Sequence, residues 1–330
     1  MKNVLTTAIV AVTLVTALAL PTLAGGTSGP SIEELPVGGT GIFHPLRMNG
    51  LGDLVGTLGS GSGIHTVLNE RRADAGLLSL HGLDGAIPTD INDNMQVTAN
   101  AGSDMFLYDR LLGAVHIGVG KAVGVSDTFE AVGNQNGKPF QYGEGVMYPI
   151  AGQPAHAIGV DNAGEILCQH VTLSGSIHSY VLAGITINDI PSFRGCSAKA
   201  TYISHSGYVA GVDVVYPGTA QERIVDGFTY TVVGGKHILQ PLPGTVASDP
   251  IAVNGKGNAI GWSYYYNGAS VATVWINGAP YSLYGMMGFT PNNYFAISDL
   301  TDMNNQGQFC GWGAHNGHLV SFIGYLPEMQ

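Results

Sequence analysis

The chain has 330 residues with 12 Lys and Arg against 23 Asp and Glu, which gives a net charge of −11, and only 11% of its residues are charged. A nucleic-acid-binding protein needs a basic face for the phosphate backbone, so this composition argues against that function. Hydrophobic residues make up 45% of the chain, enough for a core, which argues against disorder. The 49 glycines indicate a chain that turns often.

The first 24 residues have the pattern of a secretory signal peptide. Lys2 provides a positive start, residues 4–20 are apolar, and small residues surround Ala24. An uncleaved anchor is the alternative, but basic residues on the far side are lacking. No later run reaches the roughly 18 apolar residues that span a bilayer. We therefore predict a secreted protein, extracellular or periplasmic, with no membrane partner after cleavage.

The three cysteines, Cys168, Cys196 and Cys310, are an odd number and lack metal-ligand spacing. If an exported protein forms one disulfide here, we expect it between Cys168 and Cys196, with Cys310 buried and free. The sequence predicts no metal site and no cofactor. Asp90, Asn92 and Asn94 have the spacing that starts a calcium loop, but Met95 stands where glycine is needed.

One short pattern returns along the whole chain. An Asn, Asp or Ser ends an apolar run, and in five of six copies Gly follows three residues later. A side-chain oxygen at the first position caps a turn, and Gly accepts the positive φ of the fourth. In the exceptional copy, which has Met95, we expect Asn94 to take the left-handed conformation. The anchors are 43, 69, 43, 50 and 50 residues apart, at Asn49, Asn92, Asp161, Ser204, Asn254 and Asn304.

Each anchor is flanked by short β-branched and aromatic runs that predict about four strands per copy. The last copy ends before its fourth strand, and residues 32–35 supply a matching segment. Leu35 precedes its anchor by 14 residues, as Ile190 and Gln240 precede theirs. This circular offset is typical of a ring that closes by pairing its two chain ends.

We therefore predict an all-β fold, a six-bladed β-propeller of four-stranded blades. It forms a single domain over residues 25–330 with an insertion at about 118–155. A seventh, degenerate blade between Val119 and Gly152 and an open β-solenoid are the alternatives.

The run from Met303 to Trp312 resembles the extracellular HAF-type repeat, whose units read approximately Ile-Asn-Asn-x-Gly-Gln-Val-Val-Gly and then His-Ala-Phe-Leu. His65, His178 and His318 match the histidine of that unit, and the resemblance covers most of residues 31–330. It implies an exported β-propeller-like repeat protein and no particular activity.

Repeat proteins often bind through the end where their loops vary. Here that end holds the second turn of each unit and the crossovers between units. Flat rings with polar tips suit stacking on sugars or anchoring a protein partner. The alternative is that the tryptophans fill the core between blades and that the insertion is an ordinary packed hairpin. The candidate binding residues are Trp262, Tyr264, Tyr265, Tyr266 and Trp312, with Tyr142, Glu144 and Tyr148 from the insertion.

Known catalytic motifs are missing, including the Gly-x-Ser-x-Gly elbow and the His-Glu-x-x-His zinc motif. The sequence thus favours a non-enzymatic binding protein that recognises a glycan or a cell-surface protein. Two alternatives remain. One is a polysaccharide-active hydrolase or lyase that uses carboxylates such as Glu144 and Asp213. The other is a structural component of an extracellular matrix.

Overall fold

A computed structural model describes residues 31–35, 42–59, 63–71, 77–128, 130–150, 155–193, 195–288 and 295–327. The predicted signal peptide therefore lies outside the described residues. Within them the fold is built from strands, with one short helix, α1 (Leu283–Met286). No described helix is long and apolar enough to cross a membrane.

The strands follow one another at short intervals. The first half of the chain contains β1 (Ser31–Glu34), β2 (Phe43–Met48), β3 (Leu54–Leu58), β4 (His65–Asn69), β5 (Leu77–Ser79), β6 (Ile87–Ile91), β7 (Val97–Ala101), β8 (Asp104–Asp109), β9 (Gly113–Val119), β10 (Lys121–Val125), β11 (Ala131–Gln135), β12 (Lys138–Gly143) and β13 (Val146–Pro149). The second half contains β14 (His156–Val160), β15 (Ile166–Val171), β16 (Ile177–Ala183), β17 (Thr186–Asp189), β18 (Ser197–Ile203), β19 (Val209–Val215), β20 (Arg223–Thr231), β21 (Gly235–Leu239), β22 (Ala247–Val253), β23 (Ala259–Tyr264), β24 (Ser270–Ile276), β25 (Ala279–Ser282), β26 (Phe295–Met303), β27 (Gln308–His315) and β28 (His318–Tyr325).

These strands form seven antiparallel four-stranded sheets, the blades of a β-propeller. Blades 1 to 6 are β2–β5, β6–β9, β10–β13, β14–β17, β18–β21 and β22–β25, and blade 7 is β26–β28 with β1 at its edge. The expected number of six is wrong, and the seven-blade alternative is correct. The proposed insertion at 118–155 is blade 3. Its anchor is Ser126, and Phe129 stands where five of the other six copies have Gly, so this turn lacks both the Asn and the Gly of the motif.

The predicted closure of the ring is confirmed, because β1 pairs antiparallel with β28 and places Ile32 opposite Gly324. Glu33 of β1 also ties blade 7 to blade 1. Both of its carboxylate oxygens accept hydrogen bonds from the Arg71 guanidinium, at 2.9 and 2.7 Å, and one accepts a bond from Tyr325 at 3.1 Å. The sheet of blade 7 is thereby completed by the opposite end of the chain, and its last strand is not left as an open edge.

The hydrophobic core lies between neighbouring blades. Seven buried apolar clusters of described residues each join two adjacent sheets. Blades 6 and 7, for example, share a cluster that includes Val274, Leu300 and Phe322. The three thiols are free, so the conditional Cys168–Cys196 disulfide is not formed. Cys168 and Cys310 are each buried in one of these clusters, so Cys310 is buried and free as expected.

The repeated turns have the predicted capping chemistry. The Asn49 side-chain oxygen accepts hydrogen bonds from the backbone N–H groups of Leu51 and Asp53, at 3.1 and 2.8 Å. The glycines at the fourth position have positive φ, as in Gly52 at 89°. The expectation for the exceptional turn is wrong, since Met95 itself takes the left-handed conformation with φ of 60°. The side-chain oxygen of Asn92 accepts hydrogen bonds from the backbone N–H groups of Asn94 and Gln96. These bonds fix the turn, so the residue at its fourth position must adopt a positive φ whatever its side chain.

The anchor asparagines also connect the blades. The amide of Asn254 donates to the carbonyl of Asn304 at 3.2 Å, and that of Asn304 to the carbonyl of Asn49 at 3.3 Å. Asn49 donates to Asn92 at 3.1 Å, and Asn92 to Ser126 at 2.7 Å. One side-chain amide therefore forms a hydrogen bond across each of four consecutive interfaces, from blades 6 and 7 round to blades 2 and 3. A net contribution of about 1 kcal/mol per hydrogen bond is typical.

A carboxyl stands at the anchor of blade 4, where an amide would bond the next blade. Asp161 caps its own turn at Ala163 and Glu165, at 2.9 and 2.7 Å. Burial, with a smaller contribution from the Glu165 carboxylate, raises the pKa of Asp161 to about 6. Because the native carboxyl holds its proton more tightly than the unfolded one, stability is lost as pH rises from about 4 to about 6.

We predict that Asp161→Asn stabilises the protein at pH 7, by about 1–3 kcal/mol, because an amide can donate to the next blade without the cost of burying a charge. Thermal unfolding followed by circular dichroism should show the melting temperature rise by a few degrees. The gain should shrink as the pH falls from 6 to 4.

The matched control is Asn254→Asp, which places a carboxyl at the equivalent anchor of blade 6. It should lower the melting temperature at pH 7, with partial recovery at pH 4. Equal melting temperatures for the wild type and Asp161→Asn at pH 7 would refute the role given to the amide.

Candidate binding cavity

The inner strand of every blade runs along the central channel of the wheel, with its anchor turn at one end. We call this end the Asx end, and the opposite end, which holds the second turns and the crossovers, the loop end. All seven inner strands carry a β-bulge shortly before the anchor. A bulge re-aims side chains, so it sets which residues line the channel.

A cavity of about 420 Å³ lies in the loop-end half of the channel, against the inner strands of blades 5, 6 and 7. Its walls carry cations, carboxyls, hydroxyls and aliphatic side chains. They are Arg47, Lys199, Thr201, Tyr202, Val212, Glu222, Ile224, Asp249, Ile251 and Thr301.

Below this cavity, polar contacts cross the channel. The Tyr202 hydroxyl of blade 5 donates to the Asp302 carboxyl of blade 7 at 2.6 Å. His205 of blade 5 lies 3.5 Å from the Asp90 carboxylate of blade 2. A second space of only about 20 Å³ remains between them, with Arg47 and Tyr202 in the walls of both cavities. The larger cavity is therefore a cup that opens toward the loop end.

The pKa values of Asp302 and His205, in the floor of the cup, are shifted from their usual range. Burial raises the pKa of Asp302, although Arg47 and the Tyr202 hydrogen bond oppose that shift. Burial lowers the pKa of His205, but the Asp90 carboxylate more than compensates and brings it to about 9. His205 is therefore protonated at neutral pH and paired with Asp90.

At the wall of the cup, the Lys199 ammonium donates to the Glu222 carboxylate at 2.7 Å. This hydrogen bond lowers the pKa of Glu222. Asp249 accepts a hydrogen bond from the Tyr264 hydroxyl at 3.2 Å, while burial raises its pKa. The cavity thus holds one carboxyl with a lowered pKa and one with a raised pKa.

The two predicted tryptophans lie at blade interfaces. Both are partly buried on the second strand of their blades, opposite Asp249 and Asp299 respectively. Trp262 packs against the cluster that blades 6 and 7 share. The Trp312 ring meets the ring of His44 in blade 1 edge-on, with centroids 5.7 Å apart.

In blades 2 and 3 an asparagine occupies the position equivalent to these tryptophans. Asn100 donates to the carbonyl of Ala122 and accepts from its N–H, both at 2.9 Å. Asn134 bonds Ala157 in the same way at 2.8 Å. These amides satisfy backbone groups at the bulge of the next blade. The tryptophans fill the same position with apolar contact.

The three predicted tyrosines of blade 6 are near the loop end but differ in role. Tyr264 reaches the cavity through its bond to Asp249. The backbone of Tyr265 closes the second turn by bonding Ala269 and Gly268. Tyr266 is 94% exposed at the tip of this turn.

The predicted patch from the insertion is separated from these residues. Tyr142 packs within the core of blades 2 and 3, and Tyr148 lies on the outermost strand of blade 3. Glu144 is in the turn between β12 and β13, which belongs to the Asx end. Asp213, its suggested catalytic partner, is fully buried in blade 5 and bonded by Lys236 at 2.7 and 2.8 Å. The structure does not bring Glu144 and Asp213 together.

Sequence reasoning missed the residues that do meet. Arg47, Tyr202 and Asp302 all stand two residues before an anchor, and Lys199 and Asp249 stand five before. Counting backward from the anchors would have grouped them. In the described part of the chain, no group of three or more His, Cys, Asp or Glu residues could hold a metal ion.

We predict that Trp312→Ala lowers the free energy of unfolding by about 2–3 kcal/mol, because it leaves a gap between blades 7 and 1. Tyr266→Ala should change it by less than about 0.5 kcal/mol, since the ring is almost fully exposed. Urea denaturation measures both values. A fully stable Trp312→Ala variant would show that the ring is not an interface residue.

Comparison with known proteins shows the fold. No family model and no curated protein sequence matches the chain, so the HAF-type resemblance is not confirmed. An oligogalacturonate lyase in complex with manganese has a TM-score of 0.56 at 11% identity, over 91% of each chain. YCF48 bound to D1 peptide has a TM-score of 0.52 at 10% identity, over 92% of this chain and 99% of that one. An acylaminoacyl peptidase from Pyrococcus horikoshii has a TM-score of 0.54 at 10% identity, over 86% of this chain and 50% of that one. These proteins differ in activity, and at such identities the likeness establishes a β-propeller alone.

Proposed function

We propose that this protein is an exported, non-enzymatic binding protein that takes the end of a glycan into the loop-end cavity. The observation that carries the proposal is a cup-shaped site in which donors and acceptors alternate with aliphatic side chains. The secretory pattern of residues 1–24 is consistent with a ligand outside the cell.

The lining suits a sugar because each ring presents several hydroxyls, which both donate and accept. Glu222 and Asp249 supply acceptors, Lys199 supplies donors, and Thr201 and Thr301 supply hydroxyls. Ile224 and Ile251 provide apolar wall for the C–H faces. A volume of about 420 Å³ lies within the usual range of small-molecule sites.

Catalysis is a second candidate because one specific observation favours it. Glu222 and Asp249 line one cavity and have pKa shifts in opposite directions. Environments that separate two carboxyls in this way are typical of acid–base pairs. This pair replaces Glu144 and Asp213 as the hypothesis for a polysaccharide hydrolase or lyase.

We predict that the purified mature chain binds a restricted set of glycans on an array, and that Glu222→Gln and Lys199→Ala each weaken that binding at least tenfold. Each substitution removes one member of the ion pair at the cavity wall. Isothermal titration with the best glycan measures the change. Glu144→Gln is the matched control, and it should bind as the wild type does.

Unchanged affinity in both cavity variants would refute the location of the site, and an array without any bound glycan would refute the ligand class. Mass spectrometry of the glycan after incubation separates binding from catalysis. Products that disappear in Asp249→Asn would favour the enzyme and overturn the non-enzymatic proposal.

A further inference from the structure

Arg47 stands at the bottom of the cup, where it lines both the larger cavity and the small space below it. Its guanidinium donates one hydrogen bond, to the carbonyl of Leu46 at 2.8 Å. Among the described residues no carboxylate lies within ion-pair distance of it. A guanidinium has five N–H donors, so the donors that do not bond Leu46 can serve a ligand in the cavity that Arg47 lines.

The carboxyls nearest to Arg47 in the channel have other partners. Asp302 accepts hydrogen bonds from the backbone N–H groups of Met48 and Met303, both at 2.8 Å, and from the Tyr202 hydroxyl. Asp90 accepts from the backbone of Val125 at 2.9 Å and pairs with His205. Both carboxyls are therefore engaged by other donors, and among the described residues neither forms an ion pair with Arg47, although the guanidinium charge opposes the rise in the pKa of Asp302.

We propose that Arg47 binds the carboxylate of an acidic sugar at the end of the glycan. The inference rests on the proposed function and names the ligand within it. A planar guanidinium pairs with a carboxylate through two parallel hydrogen bonds, and partial burial strengthens such bonds.

The charges higher in the cup favour a single acidic terminus over a polyanion. Glu222, Asp249 and Lys199 line the wall of the cup, which the sugars next to the terminal acidic one would contact. Carboxylates accept hydroxyl protons well but repel further carboxylates. We therefore expect one acidic residue on Arg47, followed by neutral sugars at the wall.

The test uses matched ligands that differ at one carbon. Methyl glucuronide and methyl glucoside share every ring hydroxyl and differ in a carboxylate against a hydroxymethyl group. A second pair, methyl galacturonide and methyl galactoside, tests the opposite configuration at C4. In isothermal titration, at least one acidic glycoside should bind about 10–100-fold more tightly than its neutral partner.

The protein side uses two substitutions. Arg47→Gln should abolish this preference, so that the acidic and the neutral glycoside bind with affinities within about twofold of each other. Arg47→Lys should retain part of it, because the charge remains and the bidentate geometry is lost. If Arg47→Gln does not fold, as thermal unfolding would reveal, the amide of the acidic glycoside tests the same point on the wild type. It should bind as weakly as the neutral one.

The outcomes separate the two proposals. Equal affinity for acidic and neutral glycosides, with binding still lost in Glu222→Gln, would overturn the role of Arg47 and leave glycan binding intact. A preference for an acetylated dipeptide with a free C-terminus over its amide, lost in Arg47→Gln and without uronide binding, would overturn the sugar and assign a peptide terminus. No binding of any glycan would overturn both proposals.

Discussion

The wheel depends on hydrogen bonds that cross from one blade to the next at the channel. Each sheet can complete its own ladder, but its faces are apolar and must be held against two neighbours. At four of the seven interfaces the anchor asparagines do this from inside a capped turn, since one atom of the amide caps the turn while the other bonds the next blade. One side chain thus both caps the turn and bonds the next blade, which explains why the motif recurs along the chain. Apolar packing at the seven interfaces adds the larger share of stability but does not set the register.

The repeat made much of the fold predictable. Six anchors, the four-stranded unit and the closure by residues 32–35 follow from spacing and from the offset of the chain ends, and the observed strand covers Ser31–Glu34. Blade 3 escaped because Ser126 caps its turn without an amide and without the glycine. Every other copy keeps at least one of these two features: blade 2 has Asn92 without the glycine, and blade 5 has Gly207 after a serine anchor, Ser204. The interval of 69 residues between Asn92 and Asp161 contained the missing unit.

The candidate site was harder to predict because a channel collects residues from distant parts of the chain. Arg47 and Asp302 are in blades 1 and 7, and each is an ordinary polar residue near the end of a strand. Aromatic residues drew attention because they are rare and recur at one position. That recurrence has a structural cause, since the position faces the bulge of the next blade. Where that bulge presents Ala122 or Ala157 an asparagine bonds it, and where it presents Pro45 no N–H is available and Trp312 stands instead.

The channel is asymmetric, and the asymmetry creates the site. At the position two residues before the anchor, four blades carry Arg47, Asp90, Tyr202 and Asp302, while the others carry glycine or alanine. Tyr202 and Asp302 bond across the axis, and His205 crosses to Asp90, so the floor of the cup is tied together from several blades. This arrangement satisfies the acidic groups through neutral donors and a histidine. Arg47 is consequently the cationic member of that ring, and it lines the open cavity as well as the small space below it.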